Sequence, residues 1–182
     1  MREDAEQIFS VVNAAYEKEK GNTGIAFKVG DRLATVECVH MEREPHQYLV
    51  VTWRGKEKEG QREHVVACAG IDQKIAADST EGERMALNFG PFAVRPDLQC
   101  QGIGSTLLEA IDACARFSRA SWLEIEVVNH RSDLLPWYEK RGFVTYGQAP
   151  LDEEHNCGES NITRPSHFIL LRRRVAKKSS EE

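Results

Sequence analysis

One segment of the chain reads Phe92-Ala-Val-Arg-Pro-Asp-Leu-Gln-Cys-Gln-Gly-Ile-Gly-Ser-Thr-Leu-Leu108, and it predicts a strand, a turn with two glycines and the start of a helix. Glycine lets the backbone approach a ligand closely, and the first amides of a helix have no partner within it. These amides and the helix dipole favour a phosphate or pyrophosphate. Two other interpretations stay open here: a plain tight connection, and a dinucleotide-binding turn with Glu124 or Glu126 as the ribose-binding acid.

The spacing of the glycines argues against the common nucleotide-binding motifs. The third glycine of a dinucleotide-binding turn would fall at Leu107. Five residues also separate Pro96 from Gly102, where that motif needs a tight turn. A P-loop needs Gly-Lys-Ser/Thr after the turn, and this sequence does not have it. Both motifs are therefore disfavoured.

The sequence before this segment predicts a helix and three strands. Apolar residues recur at helical spacing over residues 4–18. The β-rich runs 48–53 and 64–70 flank a charged turn and predict a hairpin. A third strand covers about 84–94. Because proline cannot donate to a strand ladder, we predict a β-bulge at Gly90-Pro91.

The sequence after the turn predicts a helix, a strand, a short helix and two strands. Residues 123–127 alternate apolar and acidic side chains, which predicts a strand. Ser132 can cap a short helix that Gly142 ends in the C′ position. One strand then begins at Phe143, and the last strand covers residues 168–171. The apolar stripe of the first helix consists of Ile103, Leu107, Ala110, Ile111 and Cys114.

These elements predict one mixed α/β domain over residues 1–176, followed by a disordered tail over 177–182. Residues 31–42 fit either a helix or a strand. A long polar segment covers 147–166, and segments of this length are usually functional or disordered. Its acidic residues, 152–154, suggest contact with a cationic amine, although a solvated loop explains them as well.

The composition is that of an ordinary globular protein, with 182 residues, 41% hydrophobic and 29% charged. No apolar run is long enough to span a membrane, and the first residues lack the layout of a signal peptide. The net charge of −5 disfavours nucleic-acid binding. Five widely spaced cysteines indicate reduced thiols, and their spacing fits no metal site. We therefore expect a cytoplasmic protein without membrane, nucleic-acid or metal partners.

Two motifs in register make the sequence similar to the GNAT superfamily of N-acetyltransferases. Gln99, Gly102 and Gly104 match its acetyl-CoA-binding core, Gln/Arg-x-x-Gly-x-Gly/Ala. Residues 123–129 resemble the family's fifth strand, and Trp137-Tyr-Glu-Lys-Arg-Gly-Phe143 resembles its Tyr-Glu-Lys-x-Gly-Phe helix end. The resemblance implies a mixed, splayed central sheet flanked by helices. Because three residues precede the first predicted helix, we expect the first family strand to be missing or truncated here.

The resemblance implies that acetyl-CoA binds as a cosubstrate. Its pantetheine arm would pair with the backbone of the family's fourth strand, and its pyrophosphate would lie on the amides of the turn. Residues 129–138 are two more than in the commonest form of the family. The implied cofactor-binding residues are Phe92, Ala93, Val94, Gln99, Cys100, Gln101, Gly102, Ile103, Gly104, Ser105 and Asn129.

The resemblance also implies that a neutral amine attacks the thioester directly, without a covalent intermediate. Tyr138 corresponds to the tyrosine that protonates the departing thiolate, and a tyrosine with the ordinary pKa of about 10 keeps its proton at neutral pH. Outside the motif, the same residue would be an amphipathic core residue. Family members often use a glutamate of the fourth strand as base. Glu83 is our candidate, with Glu81 and His130 as rivals.

We therefore expect transfer of an acetyl group from acetyl-CoA to a primary amine on a small molecule or peptide. The alternative is a non-catalytic acetyl-CoA-binding module that acts as a sensor or an interaction subunit. Tyr138 favours the enzyme, because a binding module needs no proton donor. The acceptor stays undetermined, because one scaffold serves many amines. The oligomeric state is also open, and a homodimer is one option.

Overall fold

The computed structural model describes residues 2–22, 47–53, 63–75, 85–150 and 165–176. None of the described helices combines the length and apolar character that a bilayer span needs. The predictions for residues 31–42, 152–154 and 177–182 lie outside the described ranges. The described elements are α1 (Arg2–Asn22), β1 (Gln47–Trp53), β2 (His64–Ile75), β3 (Met85–Val94), α2 (Ile103–Phe117), β4 (Trp122–Val128), α3 (Leu135–Glu139), β5 (Val144–Pro150) and β6 (His167–Arg174).

The six strands form one mixed sheet in the order β1-β2-β3-β4-β6-β5. Only β3 and β4 pair in parallel, and all other neighbours are antiparallel. Helix α1 packs against Cys68 and Ala93 on one side of the sheet, the α1 face. Leu107 and Ile111 of α2 pack on the other side, the α2 face. The predicted mixed α/β fold is confirmed, and in the described part no strand precedes α1.

A β-bulge interrupts β3 at Gly90-Pro91, as the proline predicts. Ala69 and Ile71 of β2 are two residues apart, whereas their partners on β3, Phe92 and Phe89, are three apart. The Gly90-Pro91 peptide bond is cis. Because the extra residue resets the alternation of side chains, Phe89 before the bulge and Phe92 after it both pack on the α2 face.

Strands β3 and β4 separate partway along their length. They pair only where residues 86–88 lie opposite 122–124, and the last pair is Asn88 with Glu124. Beyond this pair, β3 continues beside β2 and β4 continues beside β6. A gap, which we call the cleft, therefore opens between residues 89–94 and 125–128. The splayed sheet predicted from the sequence is confirmed.

The buried stripe of α2 is rotated slightly from the predicted one. Leu107 and Ile111 are buried as predicted, but Ala110 is exposed. Leu108 and Ala115 are buried in addition. Residues spaced by three or four positions share a helix face, so this set defines a stripe that excludes position 110.

The short helix α3 begins later than a cap at Ser132 would require. Its N-cap residue is Leu134, and no described side chain caps the helix. A turn over residues 132–134 comes first, closed by the Leu134 N–H, which donates to the Arg131 carbonyl at 3.0 Å. The predicted cap at Ser132 is therefore wrong, because the chain is already turning through the backbone at that residue.

The end of α3 is the glycine turn that the sequence predicts. Gly142 has a φ of 82°, which favours glycine. Its N–H donates to the Glu139 carbonyl at 2.9 Å, and the Phe143 N–H donates to the Tyr138 carbonyl at 3.2 Å. These two bonds form a Schellman motif with Gly142 at C′. The rings of Tyr138 and Phe143, 5.5 Å apart, supply the apolar contact that accompanies it.

Candidate active site

The glycine turn joins the end of β3 to the start of α2. Gly102 has a φ of 85°, and a Cβ built there would meet nothing within 4 Å, so glycine is favoured here by conformation and not by space. No described side chain caps α2. The Gly102 carbonyl accepts hydrogen bonds from the Ser105 and Thr106 amides at 2.9 and 3.1 Å. The Ile103 and Gly104 amides, in the first turn, have no partner within the helix.

The glutamine side chains of the turn bind the backbone of the turn itself. Gln99 Nε2 donates to the Val94 carbonyl at 3.2 Å, and Gln101 Nε2 donates to the Asp97 carbonyl at 3.3 Å. Arg95 donates two hydrogen bonds to Asp97, at 2.7 and 3.0 Å, and these hold the pKa of the Asp97 carboxyl below its ordinary value. These side chains shape the turn, so its contacts to a ligand would come from backbone amides.

The remaining predicted cofactor residues of β3 and the turn point in different directions. Phe92 and Val94 pack on the α2 face, whereas the Ala93 side chain is buried on the α1 face. Cys100 is exposed and has a φ of 62°. At Ala93, only the backbone can therefore serve a ligand on the α2 face.

Arg141 lies over the start of α2. Its Nη2 donates to Ser105 Oγ at 2.8 Å, and its guanidinium stacks 3.6 Å from the centre of the Trp137 ring. Arg173 supports it from β6, donating to the Arg141 carbonyl at 3.2 Å and to Asp112 of α2 at 2.6 Å. A positive charge is thus fixed beside the amides where the sequence predicts pyrophosphate.

Tyr138 is buried on the α2 face, with 2% of its surface exposed. Its ring centre lies 6.3 Å from that of Phe89 and 6.5 Å from that of Phe92. These two residues belong to the β3 edge of the cleft. The rings of Trp137 and Phe143 lie 4.9 and 5.5 Å away and complete an aromatic cluster. Tyr138 is therefore a core residue that also borders the cleft.

Glu124 is the charged residue buried most completely in the described chain, at 1% exposure. It is the last residue of β4 that pairs with β3, and it points to the α1 face because Leu123 and Ile125 fill the α2 face. Lys74 Nζ lies 3.2 Å from Glu124 Oε2 and 3.7 Å from Glu126 Oε1. A carboxylate and an ammonium group therefore meet at the closed end of the cleft.

The surroundings of Glu124 leave its oxygens poorly satisfied. Within the described residues, neither oxygen has a hydrogen bond that meets strict geometry, and the carboxylate is contacted by the Lys74 ammonium as an ion pair and by the Tyr146 hydroxyl. Asn88 of β3, which pairs with Glu124, also has a buried Oδ1 without a hydrogen-bond partner among the described residues. Burial, then the charge of Glu124 and the contact of the Tyr146 hydroxyl with its carboxylate, raise the pKa of Tyr146 to about 12. The Arg172 guanidinium lies 4.8 Å over the Tyr146 ring. Unsatisfied buried polar atoms are costly, and they often mark functional sites.

The other predicted site residues are distributed around the cleft. Asn129 Oδ1 accepts a hydrogen bond from the His167 amide at 3.2 Å, which ties the end of β4 to β6. His130 Nε2 lies 3.1 Å from the Pro165 carbonyl, a contact that requires a proton on Nε2. Glu83, the predicted base, and its rival Glu81 lie outside the described residues.

Sequence reasoning does not identify Lys74 or Arg141, and it names Glu124 only as the ribose-binding acid of the disfavoured dinucleotide-binding motif. The alternation of residues 123–127 predicts the face on which Glu124 lies but not its burial. Arg141 occupies the variable position of the Tyr-Glu-Lys-x-Gly-Phe motif, and that position could have flagged it. Lys74 meets Glu124 only through strand register, for which no local signal exists.

The comparison with family models finds one match. A model described as an acetyltransferase (GNAT) domain matches residues 44–145, which is 102 of the 182 residues. No curated protein matches the chain by sequence. The matched range includes the glycine turn, the cleft and Tyr138.

Solved structures extend the likeness over nearly the whole chain. A chain of the NatC complex, solved with a Gag peptide and CoA, is 13% identical with a TM-score of 0.62, over 94% of this chain and 91% of that one. The ribosomal-protein-S18-alanine N-acetyltransferase from Escherichia coli is 15% identical with a TM-score of 0.59, over 99% of this chain and 93% of that one. A protein from Desulfovibrio desulfuricans ascribed to the GNAT family is 20% identical with a TM-score of 0.57, over 97% of this chain and 95% of that one. At these identities the likeness shows the fold.

Proposed function

The chain belongs to the GNAT acetyltransferase family, and from this premise we propose that it transfers an acetyl group from acetyl-CoA to a primary amine. The pantetheine arm would pair with the open backbone edge of β3, at residues 92–94. The pyrophosphate would lie on the amides of Ile103 and Gly104, with Arg141 beside it. Three features support this arrangement: free helix amides, the helix dipole and a fixed guanidinium.

The observation that carries the proposal is the position of two side chains that can exchange protons, on opposite faces of the sheet beside the cleft. Glu124 is buried on the α1 face at the closed end. Tyr138 is buried on the α2 face against the β3 edge. An amine that approaches from the α1 face and a thiolate that leaves toward the α2 face would each meet one of these groups.

The reaction then needs two proton transfers around one acyl transfer. Glu124 takes a proton from the acceptor ammonium, and the neutral amine attacks the thioester carbonyl. As the tetrahedral intermediate collapses, the C–S bond breaks and Tyr138 gives its proton to the CoA thiolate. The second proton of the amine returns to Tyr138 through solvent. Each group can contribute about 10²–10⁴-fold to the rate.

Glu124 is our candidate for the base, because the structure brings its carboxylate to the cleft. Glu83, predicted from the family pattern, remains a prediction outside the described residues. The two candidates differ in a way that mutation can separate. Glu124→Gln should lower kcat by about 10²-fold or more, and Glu83→Gln should have little effect. The reverse result would assign the base to Glu83.

A non-catalytic acetyl-CoA-binding module is the second candidate. The Lys74–Glu124 ion pair favours it, because an acceptor ammonium would have to compete with Lys74 for the carboxylate. A module of this kind binds acetyl-CoA and releases no CoA with any amine.

The deciding experiment measures free-CoA release against a panel of amines that includes polyamines, amino acids, peptide N-termini and lysine peptides. Calorimetric titration of acetyl-CoA into the same protein accompanies it. Turnover with at least one amine supports the acetyltransferase. Tight binding of acetyl-CoA without release on any amine would instead favour the non-catalytic module.

A further inference from the structure

We propose that Lys74 is itself an acceptor, so that the protein acetylates its own Lys74 ε-amine in the cleft. The inference rests on the proposed function, because it uses the same acetyl donor and the same carboxylate. Neither of the two family motifs in the sequence includes Lys74.

The sheet register brings Lys74 to the closed end of the cleft. On β2, Lys74 lies opposite Ala86 of β3, and Ala86 in turn lies opposite Trp122 of β4. Lys74 is an even number of residues from Cys68, so both side chains point to the α1 face. From there, the Lys74 side chain reaches across β3, and its Nζ lies 3.2 Å from Glu124 Oε2.

This position is the one that an acceptor amine needs. Glu124 is the carboxylate that receives the proton of the acceptor in the proposed reaction, and Lys74 already holds an ammonium group against it. The Lys74 side chain is 35% exposed, so it is neither sealed in the core nor fully solvated. The thioester would lie just beyond the Asn88–Glu124 pair, where the strands separate.

The chemistry is the proposed reaction with Lys74 as the nucleophile. Glu124 accepts one proton from the ammonium, and the neutral Nζ attacks the acetyl carbonyl of acetyl-CoA. An N–C bond forms, the C–S bond breaks, and the thiolate leaves as CoA after protonation by Tyr138. The products are Nε-acetyl-lysine, CoA and one proton. Because the amide has no charge, the cation that competes with an external amine for Glu124 is removed.

The test uses the full chain, acetyl-CoA and no other amine. Peptide mass mapping over time should find acetyl on Lys74, at a rate about 10²-fold or more above that of the exposed Lys140. Glu124→Gln should slow the acetylation of Lys74 by a similar factor and leave that of Lys140 unchanged. The rate at Lys74 should not depend on protein concentration, because the transfer occurs within one molecule.

Three outcomes would overturn the inference. One is acetyl at Lys74 and Lys140 at equal rates, which is unassisted chemical acetylation. Another is a rate at Lys74 that rises in proportion to protein concentration, which is transfer between molecules. The third is turnover of an external amine while Lys74 stays unmodified, and it leaves the proposed function standing. Lys74→Arg provides a check that keeps a cation beside Glu124: it should remove the acetylated peptide, and because this cation cannot be acetylated, it should not raise turnover of an external amine. Absence of both activities would overturn the proposed function as well.

Discussion

Tyr138 and Glu124 are single residues whose burial and proposed chemistry have to be considered together. Tyr138 is enclosed by aromatic rings, and Glu124 by the strands around it. Burial keeps bulk water away from both groups, so in the proposed reaction each exchanges a proton directly with the bound reactant during acyl transfer, and Tyr138 regains its proton through solvent afterwards. The same burial makes an unpaired charge costly, which explains the ammonium of Lys74 beside Glu124.

The hydroxyl of Tyr138 can be tested with one atom removed. Tyr138→Phe keeps the ring, so packing and the Kd for acetyl-CoA should barely change. If the hydroxyl protonates the thiolate, kcat should fall by about 10²-fold or more. The hydrogen bond from the hydroxyl stabilises the sulfur only as negative charge develops on it in the transition state. Steady-state kinetics and calorimetric titration check this. A nearly unchanged kcat would mean that water protonates the thiolate.

Arg141 should affect cofactor binding and not turnover. Arg141→Gln removes the charge over the start of α2, so the KM for acetyl-CoA should rise by about tenfold, with little change in kcat. Arg116→Gln, at an exposed position in the last turn of α2, is the matched control and should leave the KM for acetyl-CoA unchanged. An equal KM for both variants would remove Arg141 from the cofactor site.

Cys68 should make stability fall at alkaline pH. Burial raises the pKa of its thiol from 9.0 to about 12, so above pH 9 the unfolded chain ionises this thiol and the folded chain does not. The free energy of unfolding should therefore drop by about 1 kcal/mol between pH 8 and 10 from this group alone. Urea unfolding of Cys68→Ala should show a smaller drop. An identical pH dependence of the two proteins would contradict the prediction.

The sequence predicts those single residues that lie in contiguous motifs. The glycine turn and Tyr138 belong to short patterns whose spacing is fixed by one turn and one helix. Lys74 and Glu124 are fifty residues apart in sequence, and they meet because three strands lie side by side in a particular register. Register depends on the whole sheet, so their contact cannot be predicted from local pattern.

Among the elements, the connection from α3 to β5 is held by backbone geometry and by Arg173. Gly142 is in the left-handed region, and a Cβ there would lie 3.3 Å from Arg173 Cδ. Arg173 also binds Asp112 of α2, so this turn links two helices to β6. The turn thereby helps to hold both Tyr138 and Arg141 in position.

Replacement of Gly142 should cost stability through conformation. Gly142→Ala places an L-residue in the left-handed region, which costs about 1 kcal/mol, and it also crowds Arg173. Denaturant unfolding should show this loss. Gly147→Ala is the control, because its Cβ would meet Leu170 at an ordinary 3.5 Å and should change stability little. Equal losses in the two variants would contradict the role of the left-handed turn.

The elements were predictable where one residue type dictates the backbone. Gly90-Pro91 forces a bulge because proline has no N–H, and Gly142 ends a helix because it accepts a positive φ. The N-cap was not predictable, because a serine can cap a helix only when the backbone does not turn first. At Ser132 the backbone turns first, and the structure shows the helix starting at Leu135.

At the scale of the whole molecule, the six described strands form a sheet that separates two helix-covered faces, and the cleft connects these faces. The mixed fold follows from the order of the elements, and the parallel β3–β4 pair lies at its centre. The family resemblance predicts the splayed sheet. The position of Glu124 at the end of the paired segment is found only in the structure, because it depends on where the pairing stops.

Acetyl-CoA should stabilise the whole fold. A ligand that binds only the folded state at about 100 times its Kd adds about 2.7 kcal/mol and raises Tm by several degrees. Gly102→Asp should abolish the shift through charge repulsion, and Gly104→Val should do so by filling the space near Phe92 and Trp137. Gly104→Ala meets its neighbours at an ordinary 3.6–3.7 Å and should keep the shift. Thermal melts of folded variants with and without acetyl-CoA test this.

The cleft is closed at one end by the Asn88–Glu124 pair and open at the other, which constrains inhibitors. On the proposed function, a compound that joins an acceptor to CoA through an acetyl linker would have its two halves on opposite faces of the sheet. Such a compound cannot reach its site through either face alone, so it has to slide in from the open end with the linker between the strands. A thin, straight linker should therefore give tight inhibition, whereas a branched linker should be excluded however well the two halves fit.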